Sequence, residues 1–180
     1  MARFICPSSE FEFRNVLREE IKSLFERRLS RGLYISYSCC NSDVDTVTKL
    51  TQGLGVNCSV VAAKQIPNFH EFNEYYCDKK CADGVRTSRA RSLLDYLNVN
   101  GAAQALIIED VDNVLQRSAA HLMSGLLLSN RFGEDPALFK TIPPIILLED
   151  CPSNGEADNQ FRVRFVSECD LTVIMEPEDK

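Results

Sequence analysis

Four apolar residues running straight into three acids within four positions make Ala105-Leu-Ile-Ile-Glu109-Asp110-Val111-Asp112 the stretch that most constrains this chain. A short unbroken apolar run is the mark of a strand buried on both faces of a parallel sheet. Carboxylates at its carboxyl end fall where an open α/β sheet gathers its ligands. A first acid placed there can help to hold a nucleotide-bound Mg²⁺, and a second can polarise an attacking water. The plainer alternative is a buried strand whose acid-rich turn caps the next helix, and the stretch alone leaves both open.

On either side of that strand the hydrophobic pattern alternates between helix and strand periods. Residues 10–29 place Phe13, Val16, Leu17, Ile21, Leu24, Phe25 and Leu29 at helical spacing behind a Ser8 or Ser9 cap. Leu33-Tyr-Ile-Ser-Tyr37 follows as a strand rich in β-formers, then a capped helix over 41–52 carrying Val44, Val47 and Leu50, then a second strand over 58–63. Residues 64–84 read as polar and irregular, with a partial helix over 69–76. Helices at 87–97 and 119–129 flank the acid-ended strand. Ile145-Ile-Leu-Leu148 is a fourth strand, ending in Glu149-Asp150, and Leu171-Thr-Val-Ile-Met175 is a fifth, reached through a loop that includes 161–165. This alternation predicts an α/β protein, a three-layer αβα sandwich on a mostly parallel five-stranded sheet. A length of 180 residues supplies one substantial core, so 1–180 is read as a single domain.

The net charge of -6 argues against broad binding to a nucleic-acid backbone, which needs clustered Lys and Arg, and Arg86, Arg89 and Arg91 read as a solvated helix face. No apolar run approaches the roughly 20 residues that span a bilayer. The opening Met1-Ala-Arg-Phe-Ile-Cys-Pro is too short for a secretory signal, so an intracellular setting is expected. The eight cysteines are scattered and read as free thiols; Cys77 and Cys81, with His70 upstream, lack the second ligand pair of a zinc site. His121 sits among apolar helix residues and reads as structural.

Taken in order, the segments resemble the large nucleotide-binding subdomain of an AAA+ ATPase, a P-loop NTPase-type fold. Residues 85–115 resemble the helix and Walker B strand of that family, and 145–152 its sensor strand, whose closing polar residue is here Asp150. Phe161-Arg-Val-Arg-Phe165 resembles the arginine-bearing segment ahead of the last strand, and Glu176-Pro177 matches the proline that follows it. The resemblance assigns Glu109 to the metal position, Asp110 to the water-polarising position, Asp150 to the sensor, and Arg164, with Arg162 beside it, to a finger reaching a neighbouring subunit's nucleotide. Tyr75 and Tyr76 lie where translocating members carry a pore-loop aromatic, although paired aromatics in a polar stretch more often pack as a satellite cluster. The helical lid of the family has no counterpart in 1–180, which corresponds to the large subdomain alone.

Two departures from the family pattern decide the functional expectation. Aligned without gaps behind Ser36, Tyr37-Ser-Cys-Cys-Asn-Ser-Asp-Val44 falls on the phosphate-binding loop, so Ser42 stands for its second glycine, Asp43 for its lysine and Val44 for its Mg²⁺-binding hydroxyl. Glycines let that loop curl its N–H groups around phosphates, and the lysine neutralises them. With Asp43 there, a contact at about 4 Å and an effective dielectric of about 20 swings from roughly 4 kcal/mol favourable to as much unfavourable. The Walker B pair is also inverted, Glu109-Asp110 in place of Asp-Glu.

The expectation is therefore a degenerate, non-hydrolysing AAA+-like domain that serves as a structural or regulatory module with active AAA+ ATPase subunits in a ring. Such members occur in the first ATPase ring of the peroxisome-biogenesis peroxins and among origin-recognition subunits, and Arg31-Gly-Leu-Tyr-Ile-Ser36 resembles the latter group. No cofactor is expected, ATP and Mg²⁺ being required only by the alternative of a working ATPase with an unconventional site. No membrane span or nucleic-acid partner is expected either, save under the third alternative of a DNA-associated subunit. The implied location is cytoplasmic, with peroxisome-associated or nuclear settings following from the two resemblances.

Overall fold

The computed structural model describes residues 1–26, 32–36, 44–83, 89–115, 119–132, 142–149 and 156–177. Among them run six strands, β1 (Arg3–Ile5), β2 (Gly32–Ser36), β3 (Cys58–Ala62), β4 (Ala105–Glu109), β5 (Ile145–Leu148) and β6 (Thr172–Met175). Seven α-helices accompany them: α1 (Glu10–Phe25), α2 (Val44–Gly53), α3 (Phe69–Asp83), α4 (Arg89–Tyr96), α5 (Asp112–Leu115), α6 (Ala120–Phe132) and α7 (Glu156–Glu168). The strands form one sheet in the order β1-β6-β2-β5-β4-β3, every pairing parallel. The predicted five-stranded sheet is thus corrected to six strands. The missed β1 is a three-residue edge strand whose side chains are mostly exposed, so it carries neither the apolar run nor the alternation by which strands are recognised.

Helix α1 forms for local reasons. Ser9 Oγ accepts from the Glu12 amide at 3.2 Å, Glu10 and Glu12 complement the positive end of the helix, and Phe13, Leu17, Ile21 and Leu24 bury one side. That side, with α2, covers one sheet face through Leu33, Ile35, Ile107, Ile146 and Leu148. The other face, through Tyr34, Leu106, Ile108, Ile145 and Leu147, is covered by residues of α3 to α7. Successive side chains of a strand point to opposite faces, so each central strand feeds both cores. The arrangement is the expected three-layer sandwich.

Two helices replace stretches expected to be irregular. Where 64–84 reads as a partial helix over 69–76 between loops, the described residues form a short 3-10 turn (Ala63–Gln65) and then the fifteen-residue α3 (Phe69–Asp83). Its polarity misled because only one side is apolar: Phe72 is buried, and its ring lies 6.3, 6.2 and 6.5 Å from those of Tyr75, Tyr76 and Tyr96. The segment 161–165, expected in a loop, lies within α7, which buries Phe165 and Val166 against the sheet. Both cases follow from tertiary burial overriding weak local pattern.

Gly32 opens β2 where a side chain has no room. A Cβ there would meet the Ile145 carbonyl oxygen at 2.9 Å and the Leu127 and Leu171 side chains at 3.3 and 3.2 Å. Gly32→Ala is therefore expected to destabilise the fold by about 1–3 kcal/mol, read from denaturant unfolding, since overpacking a central strand forces backbone shifts.

Candidate functional site

The carboxyl ends of β2, β4 and β5 lie side by side, with Ile35 opposite Leu148 and Ile108 opposite Leu147 in the sheet register. Parallel strands bring the expected functional positions to this one edge. Glu109 ends β4, half-buried, and strand alternation puts it on the side of Ile107, the α1/α2 face. Asp110 leaves the strand with φ of 63°, in the left-handed region that Asp tolerates better than most residues. Its Oδ2 accepts from Asn113 Nδ2 at 2.8 Å, and its carbonyl accepts from the Asn113 amide at 3.1 Å. Asp112 begins α5, and its Oδ1 is buried without a hydrogen-bond partner among the described residues.

The remaining predicted residues are divided. Val44 is the first residue of α2 and packs half-buried against the α1/α2 core, an apolar group at the position the family gives to a hydroxyl. Ser42, Asp43 and Asp150 lie outside the described residues. Arg164, on α7, is 77% exposed and pairs through Nε with Glu168 Oε1 at 2.7 Å, one turn on. Arg162, which the resemblance sets beside Arg164, donates from Nη1 to Glu149 Oε1 at 2.7 Å. Tyr75 and Tyr76 belong to the aromatic cluster on α3, with Tyr75 set edge-on to Tyr96 at 5.0 Å.

Glu149 is the residue at this edge that the sequence reading passed over. It follows β5, its amide donates to the Ile35 carbonyl at 3.0 Å, and its side chain is 1% exposed. Both carboxylate oxygens are engaged, Oε1 by Arg162 and Oε2 by Ser36 Oγ at 2.5 Å. Tyr34, wholly buried on β2, brings its hydroxyl up against Glu149 without a hydrogen bond of ordinary geometry. Burial pushes that phenol well above its usual range, and the Glu149 carboxylate adds to the effect. Alternation along Ile145-Ile-Leu-Leu-Glu149 was the available signal, because it puts Glu149 on the face of Ile145 and Leu147, the side on which Tyr34 lies.

Burial, then the neighbouring Asp110 carboxylate, raises the Asp112 carboxyl to about 6. An acid that titrates higher folded than unfolded, where Asp titrates at about 3.9, makes the folded state the better proton binder between those values. Its contribution is favourable at low pH and is lost as pH rises from about 4 through about 6. Asp112→Asn should remove that decline. Urea unfolding of both proteins at several pH values should show wild-type stability falling relative to the variant over this window, and a parallel pair of curves would contradict the assignment.

The AAA+ fold implies a nucleotide-bound Mg²⁺, and the described residues do not fit one. No cluster of three His, Cys, Asp or Glu side chains among them could hold a metal ion. Glu149 has both oxygens committed, and Asp110 Oδ2 is held by Asn113.

A wholly parallel sheet in this order, with helices on both faces and acids at the ends of β4 and β5, is an AAA+ P-loop NTPase-like fold. Neither a family profile nor a curated protein sequence matches the chain. Among solved structures it is similar to the ORC2 protein of Aeropyrum pernix in ADPNP-ADP complexes, with a TM-score of 0.53 and 15% identity over 97% of this chain and 50% of that one. The ADP form of the same protein gives 0.52 and 14% over the same shares. The ORC1 protein of that organism, in complex with DNA, gives 0.48 and 14% over 97% of this chain and 47% of the other. The chain spans about half the length of these proteins. No described helix is long and apolar enough to cross a membrane.

Proposed function

We propose that this chain is a degenerate AAA+-like module that does not hydrolyse ATP and acts as a structural or regulatory subunit beside active AAA+ ATPases. The observation that carries the reading is the junction between β2 and α2: the phosphate-loop position has Asp43 for its lysine and leads into a helix that opens on apolar Val44. A triphosphate there would gain neither the neutralising cation nor the metal-binding hydroxyl on which the P-loop relies. The inverted Glu109-Asp110 pair supports the same reading. The fold likeness to ORC2 proteins, with the Arg31–Ser36 resemblance, favours an origin-recognition-like assembly inside the cell as its setting.

A module retained without nucleotide chemistry keeps its surfaces, and α7 offers one. Arg164 is its exposed cation and the candidate for reaching a neighbouring subunit's nucleotide as a trans-acting finger. Reconstituted with an active AAA+ partner, the wild-type chain should raise that partner's ATP turnover and Arg164→Ala should not, while stability changes by no more than about 0.5 kcal/mol, as for surface substitutions generally. Turnover unaffected by Arg164→Ala would remove the ring-subunit reading. Turnover by the chain alone that vanishes in Asp110→Asn would instead establish the working-ATPase alternative. Salt-dependent binding of the chain to duplex DNA would favour a DNA-contacting subunit.

A further inference from the structure

Helix α7 carries two arginines that face opposite ways. An α-helix turns by about 100° per residue, so Arg162 and Arg164 stand about 200° apart around its axis. Arg162, 20% exposed, begins the inward row that continues through buried Phe165 and Val166 to Cys169, at spacings of three, four and seven residues; Arg164 lies on the outer side, 77% exposed. On the inner side Arg162 Nη1 donates to Glu149 Oε1 at 2.7 Å, and Ser36 Oγ donates to Oε2 at 2.5 Å. The backbone around that carboxylate is itself tied down, the Glu149 amide donating to the Ile35 carbonyl at 3.0 Å and the Glu176 amide to the Ser36 carbonyl at 2.8 Å. One carboxylate thus joins α7 to the ends of β2 and β5.

Stability does not account for an ion pair in this row. Glu149 is 1% exposed, and replacing both members of a buried pair by apolar groups of similar volume is often neutral or stabilising. An apolar residue at 162 would extend the row, yet apolar contacts are non-directional and let a helix slide or turn on the sheet. A guanidinium on a fixed carboxylate tolerates neither motion, because its planar fork makes hydrogen bonds of set distance and direction. We propose that the Ser36–Glu149–Arg162 network sets the register of α7 on the sheet, and that Arg162 is thereby the positioning residue for Arg164. The proposal rests on the reading of Arg164 as a finger toward a neighbouring subunit and deepens it. The Glu168 carboxylate ties Arg164 only to its own helix, so the place at which its guanidinium meets a neighbour is the place at which α7 is held.

The test replaces the two members of the pair together. In the full chain, Glu149→Met with Arg162→Met should keep a urea midpoint close to that of wild type, while amide hydrogen exchange across 160–166 quickens about tenfold or more and the buried side of α1 exchanges as before. Should the double variant not fold, Glu149→Gln decides the matter, since it keeps the shape of the side chain, loses the charge and should quicken the same amides selectively. Reconstituted with an active AAA+ partner, the altered chain should lose the stimulation of turnover that wild type gives, as Arg164→Ala does, although Arg164 is intact. Unchanged exchange across 160–166, exchange that quickens throughout the chain together with a lowered midpoint, or a loosened α7 that stimulates the partner as well as wild type does would each overturn the proposal. A wild-type chain that fails to stimulate the partner would contradict the subunit reading, and exchange in α7 would still decide whether the network sets its register.

Discussion

Phe72→Ala is expected to lower the unfolding free energy by about 3–5 kcal/mol, among the largest losses any single truncation in this chain should cause. Phe72 is 1% exposed and stands at the centre of a ring cluster, 6.2 Å from Tyr76 and edge-on to Tyr96 at 6.5 Å. The Arg89 guanidinium lies over three rings of the same group, 5.5 Å from Phe69, 5.9 Å from Phe72 and 5.2 Å from Tyr76. Removing the central ring leaves a cavity and weakens the contacts that dock α4 on α3. Because α4 contributes Leu93 and Leu94 to the core beneath β4, the loss should appear as a lower urea midpoint for the whole fold. A loss below about 1 kcal/mol would mean that the cluster is a surface patch and not part of the core, since only buried truncations carry the larger cost.

Glu149→Ala is expected to cost about 3 kcal/mol, the lower end of what breaking a buried ion pair costs, because partial exposure lets Arg162 turn toward water. The Ser36 hydroxyl loses its acceptor in the same change. Against it stands Arg164→Ala, where the exposed ion pair with Glu168 is worth little. Equilibrium unfolding of the two variants side by side should therefore separate the inward arginine network from the outward one. A Glu149→Ala protein as stable as wild type would show that this carboxylate does not hold α7.

The central sheet was legible because its strands are continuous apolar runs, and parallel strands buried on both faces must be. β4 and β5 were found, each followed by an acid, and α6 between them was placed, whereas the short α5 directly after β4 was not. What escaped was whatever owes its structure to distant partners. β1 depends on pairing Phe4 with Val173 almost the full length of the chain away, and α3 depends on rings contributed partly by α4. At the candidate site the same division holds. Glu109, Asp110 and Asp112 were visible as a cluster in sequence, whereas the Ser36–Glu149–Arg162 network joins residues 113 and 13 positions apart. Sequence spacing carries no trace of such contacts. Asp150, which the family's pattern singled out, lies outside the described residues, while alternation along the strand puts Glu149 on the face of Ile145 and Leu147, the side on which Tyr34 also lies.

Calorimetric titration of the full chain with Mg²⁺-ATP tests the account most directly. With Asp43 at the lysine position, Val44 at the hydroxyl position and Glu149 already paired, no binding heat is expected up to millimolar nucleotide. A saturable isotherm with a micromolar dissociation constant would contradict it.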